Sequence, residues 1–327
     1  MIKRPDFLYL LRSGLGIPDY WHPYLEVQND FQAGKVGTYP VSMAVKADYP
    51  GQINEEGVPV VYLEGRATVL PVTVILFGLG SHDAFLTTGD KRYQQQMMQV
   101  LSWLKRHCVG LGYGVGWPNH MDIPLYGLKD PWFSALTSAL ALSLFVRADQ
   151  LHPEEQWAAF ARKTWLGFDV PLQHGGFCRN IGTGAIYEEY PRRSLDCAFS
   201  GMCLALIGLW ESLRSGVVPE AERSFNEGLA GLRSLLPRFA YGRWSLYSLN
   251  DSFGTPLLAS PYYQRSNGLL AQVVGIMAGD SEFRSYGERW VSASDSRFGR
   301  IALSLRIALH RYRHAPALLH SDKATNH

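Results

Sequence analysis

The sequence predicts a mainly α chain: an α/α toroid, an incomplete barrel of about four helical hairpins, with a small N-terminal β segment. Three observations predict it. From residue 67 onward apolar residues recur at helical spacing. The helical stretches come in pairs, the first apolar almost all round and the second amphipathic and charged. The joints within pairs are short, whereas the connections between pairs are long and rich in glycine and aromatic residues.

Residues 1–66 are expected to form an irregular and β segment. Residues 1–30 are aromatic-rich, with room for one short helix. Within 35–66, TYPVSMAVKADY alternates in polarity and PGQINEEGVPVVYLEG sets turn signals between β-branched runs, so both read as strands. Residues 67–292 carry the pairs. ATVLPVTVILFGLGSHDAFL precedes KRYQQQMMQVLSWLKRHC, and PWFSALTSALALSLFVRADQL precedes EEQWAAFARKTWLGF. SLDCAFSGMCLALIGLWESLRSG precedes PEAERSFNEGLAGLRSLL, and YYQRSNGLLAQVVGIMAG precedes SEFRSYGERW. A helix apolar all round is buried, so the first members form an inner ring and the second an outer one. The joints TTGD, HP, SGVVP and GD are short enough to make antiparallel neighbours. Residues 293–327 are read as a C-terminal helix and tail.

The composition narrows the function classes. A formal net charge of +2 and the lack of a Lys/Arg run argue against a nucleic-acid-binding surface. The apolar run around Val69 to Gly80 is broken by Pro71 and Gly78, so no membrane span is expected. MIKRPDFLYLLRSG has only a short apolar core and no small-residue cleavage site, so the chain is expected in the cytoplasm. The four cysteines form no CxxC pair and read as buried free thiols. The histidines are scattered and no metal site is expected. His310 and His314 have ligand spacing, but in RIALHRYRHAPALLH they read as a cation cluster at a helix end. The 9 Trp and 17 Tyr offer flat apolar faces with polar edges, which suit sugars as well as large cores.

The long connections return an outer helix to the next inner one, so all are expected at one barrel mouth, where function concentrates. One contains Tyr187-Glu188-Glu189-Tyr190-Pro191, another Tyr247 in RWSLYSLND, and the fourth inner helix opens Tyr262-Tyr263-Gln264-Arg265. A shared mouth gathers a carboxylate, several phenols and the arginines Arg192, Arg193 and Arg265. Such residues are also common as packing and solvated groups.

Several of these stretches match a known pattern. GLKDPWFSALTSALALSLFVRA resembles LK-x-PW-x-SA-x-x-QGQAIS-x-LVRA. YEEYPRRSLDCAFSGMCLALIGLW resembles YEEYP-x-x-P-x-x-x-x-LNGF-x-x-SLIGLY without a gap. GLRSLLPRFAYGRWSLYSL resembles SLK-x-LP-x-x-D-x-G-x-x-T-x-YDL, and FRSYGERW resembles F-x-x-x-x-x-RW. From residue 128 to 290 the chain is thus similar to the C-terminal domain of the D-glucuronyl C5-epimerases, and the block from YEEYP to IGLW is the most specific part. The resemblance implies a small β region followed by an α/α barrel. It implies that Tyr190, Tyr247 and Tyr263 surround the sugar, with Tyr262 the alternative to Tyr263, and that Glu189 is the acidic group. Trp132 and Ser138 fall in the matched PW and SA-to-LVRA stretch as candidate substrate contacts, with Arg265, Arg192, Arg193 and Asn250.

The chain also departs from the pattern. Ser138-Ala139-Leu140 stands for QGQ, Phe199-Ser200-Gly201 for LNG, and Ile75-Leu76-Phe77 for AQY; Asn250 replaces an arginine, and Gln264 and Asn267 replace two histidines. The implied reaction is epimerisation at C5 of glucuronate or iduronate residues in a heparosan-like polysaccharide, without a cofactor. A base removes the hydrogen α to the carboxylate, cationic groups hold the enolate-like charge, and an acid reprotonates the other face. The same enolate expelling the C4 substituent gives a lyase, and a non-catalytic glycan-binding homologue is the third reading. A uronate-containing polysaccharide is the implied partner, and a homodimer is compatible with the sequence.

Overall fold

A computed structural model gives the structure of the protein and describes residues 17–23, 25–28, 36–63, 65–250 and 256–307, together with Leu15. His310 and His314 lie outside these residues, as does the expected C-terminal tail. The described chain is mainly helical with small sheets. It divides into two compact units, one of Leu25–Arg193 and Gly201–Ser234, the other of Met1–Tyr24, Ser194–Ser200 and Leu235–His327.

The first unit carries α1 (Pro71–Thr88), α2 (Lys91–His107), α3 (Ala135–Leu151) and α4 (Trp157–Leu166), and most of α5 (Phe199–Arg214) and α6 (Ala221–Leu235). Their ends follow from sequence. Pro71 sits in the first turn of α1, where its missing N–H costs nothing. Gly89 closes α1 in the left-handed region at φ 71°, donating its N–H to Phe85 O. Asp90 then caps α2 by accepting from Arg92 N at 2.8 Å. α1 packs on α2, α3 on α4, and α1 on α3. Burial separates the roles: α3 is buried from Ala135 through Ala148 apart from Leu136, whereas α2 buries only Tyr93, Met97, Val100, Leu101, Trp103 and Leu104. α3 also meets α5 closely enough that a Cβ on Gly208 would lie 2.5 Å from Ala139 O.

The N-terminal part of this unit departs from expectation. PGQINEEGVPVVYLEG does supply β1 (Gln52–Ile53) and β2 (Pro59–Leu63), but the sheet is completed by β3 (Arg66–Thr68), which takes Ala67 and Thr68 from the stretch expected to open the first helix; the three are antiparallel in that order. TYPVSMAVKADY does not form the expected strand; a 3₁₀ turn, Ala44–Ala47, takes its place. The buried Asp83 carboxylate of α1 accepts from Tyr39 N at 2.9 Å and Met43 N at 3.1 Å, so these amides need no partner strand. The turn rests on α1 at Gly80, where a Cβ would lie 2.6 Å from Met43 O.

Beside Asp83, His82 is buried, and burial pushes its imidazole below its ordinary value, only partly opposed by the hydrogen bond to Asp83. Above pH 6.5 both folded and unfolded forms hold it neutral. Below that, the unfolded chain binds the extra proton and the fold loses stability. Denaturation midpoints are expected to fall as pH drops through about 6.5, and His82→Gln to flatten this dependence. An unchanged slope in His82→Gln assigns the acid sensitivity elsewhere.

Small hairpins occupy the long connections: β4 (Val109–Leu111) with β5 (Gly114–Gly116), and β6 (Cys178–Asn180) with β7 (Ala185–Tyr187). The four cysteines are free thiols, of which Cys197 and Cys203 are buried; Cys108 and Cys178, expected buried, are only partly so.

In the second unit, β8 (Ala240–Tyr241), β9 (Trp244–Ser248) and β10 (Leu257–Leu258) form an antiparallel sheet in the order β10–β9–β8. α7 (Pro261–Met277) packs on α8 (Ser281–Asp295) and on β9. Ser260 caps α7, its hydroxyl accepting from Tyr263 N at 3.4 Å, and Asp280 caps α8, accepting from Glu282 N at 2.8 Å. A further helix over residues 297–307 adds Leu303 and Ile307 to a core with Trp244 and Ala293. Among the described residues no helix is long and apolar enough to cross a membrane.

Candidate active site

The YEEYP segment divides into a buried first half, Tyr187 and Glu188, and a more accessible second half. β7 is buried throughout, and the Tyr187 hydroxyl donates to Ser224 O at 2.7 Å. Burial raises this phenol well above its ordinary value, so it stays protonated. Glu188 is fully buried and accepts from Arg179 Nε at 2.7 Å. Arg179 also donates to Arg192 O at 2.6 Å and Arg193 O at 3.1 Å, which folds the loop back on β6. The backbone of Glu188 is tied on both sides, N–H to Phe177 O at 2.9 Å and C=O to Ala135 N at 3.1 Å.

Glu189 and Tyr190 are half-buried. The Glu189 side chain lies against Gly201 in the first turn of α5, where any Cβ would collide with the carboxylate. Gly201→Ala is therefore expected to displace Glu189, lowering turnover and also the thermal midpoint, since the new methyl would lie 2.9 Å from Glu189 Cβ, which moves only with its backbone. Unchanged turnover in Gly201→Ala would show that the position of Glu189 is immaterial. The Tyr190 ring stacks on Tyr126 at 4.2 Å with 12° between planes, and Trp132 stands 6.1 Å away. Trp132 is buried, its Nε1 donating to Met121 O at 2.9 Å. Arg192 is half-buried and Arg193 exposed, while Ser138 is buried within α3.

In the second unit three phenols meet. Tyr247 is the only residue of β9 that is not buried. Its ring meets Tyr263 edge-on at 4.9 Å, and Tyr263 meets Tyr262 at 5.2 Å. Tyr262 and Tyr263 occupy the first turn of α7, half-buried. A histidine completes the group: His22 lies 4.9 Å from Tyr262 and 6.4 Å from Tyr263. Asp19 accepts from the backbone N–H of His22 at 2.7 Å and lies 3.2 Å from its Nδ1. Burial pushes the Asp19 carboxyl up, but the hydrogen bonds and charge of His22 more than offset this and leave it below the usual carboxylate value.

The remaining expected contacts are engaged within the same unit. Arg265 pairs through Nη1 with Asp295 of α8 at 2.5 Å. Asn250 is buried and donates from Nδ2 to Asp196 at 3.0 Å. Gln264 and Asn267 face β9: Gln264 Oε1 accepts from Ser245 N at 2.7 Å, and Asn267 Nδ2 donates to Leu246 O at 3.0 Å. The sequence reading named these phenols but not their neighbours His22, Asp19 and Tyr126, nor Arg179 beside Glu188. The only signal for the first two was the aromatic density of DYWHPY. Elsewhere in the first unit, His152, Glu154 and Glu155 gather on the turn after α3, beside a groove of about 680 Å³ along α2 lined by Gln94, Gln95, Gln99 and Arg106. These are exposed or half-buried neighbours in one turn.

Comparison with known proteins places this architecture. The fold is similar to that of a solved structure described as a D-mannose isomerase, with a TM-score of 0.52 and 12% identity, over 82% of this chain and 69% of that one. Residues 113–292, more than half of the chain, match the family described as the D-glucuronyl C5-epimerase C-terminus, and the chain belongs to that family. It is 25% identical over 179 residues to a D-glucuronyl C5-epimerase of Caenorhabditis elegans, a match covering 50% of this chain and 29% of the worm protein. It is 24% identical over 178 residues to an uncharacterized protein of Methanocaldococcus jannaschii, covering 53% and 56% respectively. The matches therefore span less than two thirds of either relative.

Proposed function

We propose that the protein is a carbohydrate epimerase that inverts C5 of uronic acid residues, of the glucuronate/iduronate type, within a polysaccharide. The observation that carries this reading is the meeting of three accessible phenols, Tyr247, Tyr262 and Tyr263, at the start of α7 in a chain of this family. The helical hairpins are proposed to close as an α/α toroid, in keeping with the buried α1 and α3 beside the amphipathic α2.

The C5 hydrogen lies α to a carboxylate, so its removal develops enolate-like charge on that group. Arg265, Arg192 and Arg193 are the proposed cationic contacts for it, with Trp132, Ser138 and Asn250 as further substrate or supporting contacts. Tyr190 or Tyr247 exchanges the proton on one face and Tyr263 or Tyr262 on the other, with Glu189 as the acidic group. An ordinary phenol titrates near pH 10, so one must be held ionised by its surroundings. Tyr187 is excluded from this role by its burial and its bond to Ser224 O.

The test is incubation with candidate polyuronides in D₂O, following deuterium at C5 by NMR alongside the absorbance of unsaturated uronates. Exchange without absorbance is the expected result. Absorbance makes the protein a lyase. Neither signal across glucuronate- and iduronate-containing polymers overturns the proposal and leaves a glycan-binding homologue.

A further inference from the structure

Gln264 and Asn267 follow the phenols along α7. Both are buried and hydrogen-bonded to β9, so neither serves the phenols. An imidazole nevertheless stands beside those phenols, supplied from a distant part of the chain. His22 meets the Tyr262 ring edge-on at 4.9 Å and the Tyr263 ring at 6.4 Å, and it is half-buried. Asp19 lies 3.2 Å from Nδ1 and accepts the His22 backbone N–H at 2.7 Å, fixing the ring against a turn in which Asp19 N also donates to His22 O at 3.2 Å.

We propose that Asp19 and His22 form a proton-holding pair for the Tyr262–Tyr263 phenols, a positioning device for the acid–base step. This rests on the reading of those phenols as the proton-exchanging groups. The geometry follows the logic of a nucleophile or base activated by an imidazole that a carboxylate orients. Asp19 takes Nδ1–H, which leaves Nε2 as the acceptor. The proton balance closes. The O–H proton of one phenol passes to Nε2, giving a phenolate and an imidazolium stabilised by Asp19. That phenolate takes the C5 proton and becomes neutral again. The second phenol gives its proton to the opposite face of C5, and the imidazolium returns its proton to the phenolate so formed. The net charge is unchanged and inversion is complete. A single imidazole near both rings serves either direction of the reaction. Among the described residues, the titratable groups around the imidazole include Asp19 on its own segment, Tyr262 and Tyr263 on α7, and Tyr247 of β9 behind Tyr263.

Two measurements on the full-length protein test this. The first needs no substrate. With tyrosine labelled at Cζ, the Tyr262 and Tyr263 resonances are assigned from the Tyr→Phe variants and titrated by ¹³C NMR. In His22→Gln the phenol that ionises first is expected to move up by about one pH unit or more, and in Asp19→Asn by less, since the ring remains but loses its orientation. The second follows C5 exchange against pH on a polymer that the protein turns over. His22→Gln is expected to lower kcat about tenfold to a hundredfold with little change in KM, and to move the basic limb of the profile upward. Identical phenol titrations in wild type, His22→Gln and Asp19→Asn overturn the proposal, whatever the enzyme's substrate. Shifted titrations in a protein that exchanges no C5 hydrogen uphold the pairing and sink only the epimerase reading. The circular dichroism spectrum and thermal midpoint of each variant check the fold, and Asp19→Asn, a near-isosteric change on a half-buried turn, serves if His22→Gln is poorly folded.

Discussion

Arg147→Ala is expected to destabilise the first unit by about 3–5 kcal/mol. Arg147 is fully buried on α3 and its guanidinium makes a two-pronged contact with Glu211 of α5, Nη1 to Oε2 at 2.8 Å and Nη2 to Oε1 at 2.7 Å. The same group donates to Ser143 O at 3.0 Å and to Thr38 O at 3.2 Å, and the Tyr39 ring lies 5.2 Å away. It therefore joins α3 to α5 and holds the segment that Asp83 also anchors. Truncation leaves the Glu211 carboxylate buried without its counter-charge, which is the costly event, rather than the loss of the pair's own net worth. Arg147→Lys is expected to recover only part, because a point charge cannot occupy both carboxylate oxygens and the Thr38 carbonyl together. Arg147→Met combined with Glu211→Leu removes both charges and is expected to be clearly more stable than Arg147→Ala alone. Urea denaturation of the four proteins decides it. If the double variant is as unstable as the single one, packing volume and not the orphaned charge sets the cost.

The helices were legible because their burial is written in periodicity. α3 reads ALTSALALSLFVRA, apolar on every face, and is buried on nearly every face; α2 reads KRYQQQMMQVLSWLKRH and buries a single stripe. What failed was the length of the pairing: only Val41 of TYPVSMAVKADY makes a β-bridge, to Val27. TYPVSMAVKADY has the period of a strand, but side-chain acceptors from Asp83 satisfy its amides, and nothing local in the sequence announces a carboxylate forty residues away. The hairpins in the connections were missed although each turns at a glycine with positive φ, Gly112 at 59°, Gly182 at 81° and Gly242 at 62°; apart from the five-residue β9, their two- and three-residue strands are too short to show a period. At the site, the tyrosines stood out by type and by family pattern, whereas the division of labour between neighbours did not. Glu188 and Glu189 are indistinguishable in sequence, yet the backbone of β7 turns one toward Arg179 and the other toward Gly201. Arg265 has the chemistry of a carboxylate clamp, and only the packing of α7 on α8 brings Asp295 to it. His22 needed a contact between segments more than two hundred residues apart, which pattern reading cannot supply.

Tyr263→Phe is expected to lower C5 deuterium exchange at least about a hundredfold on a polymer that the wild type turns over. Tyr263 stands between the other two phenols, 4.9 Å from Tyr247 and 5.2 Å from Tyr262, so it is the member whose hydroxyl is hardest to replace. Removing one oxygen leaves these edge-on ring contacts in place, so the loss belongs to chemistry and not to packing. Tyr247→Phe and Tyr190→Phe are expected to separate the two candidates for the opposite face: the true partner falls as steeply as Tyr263→Phe, the other by a few-fold. Combining Tyr263→Phe with the partner's substitution is expected to cost little beyond the single change, since exchange stops once either face has lost its proton carrier. Tyr187→Phe supplies the contrast. Its hydroxyl donates to Ser224 O inside the first unit, so its removal is expected to cost about 1 kcal/mol of stability and leave exchange near wild type. Exchange near the wild-type rate in Tyr190→Phe, Tyr247→Phe, Tyr262→Phe and Tyr263→Phe alike would make these phenols structural and remove the chemical basis of the proposed epimerase.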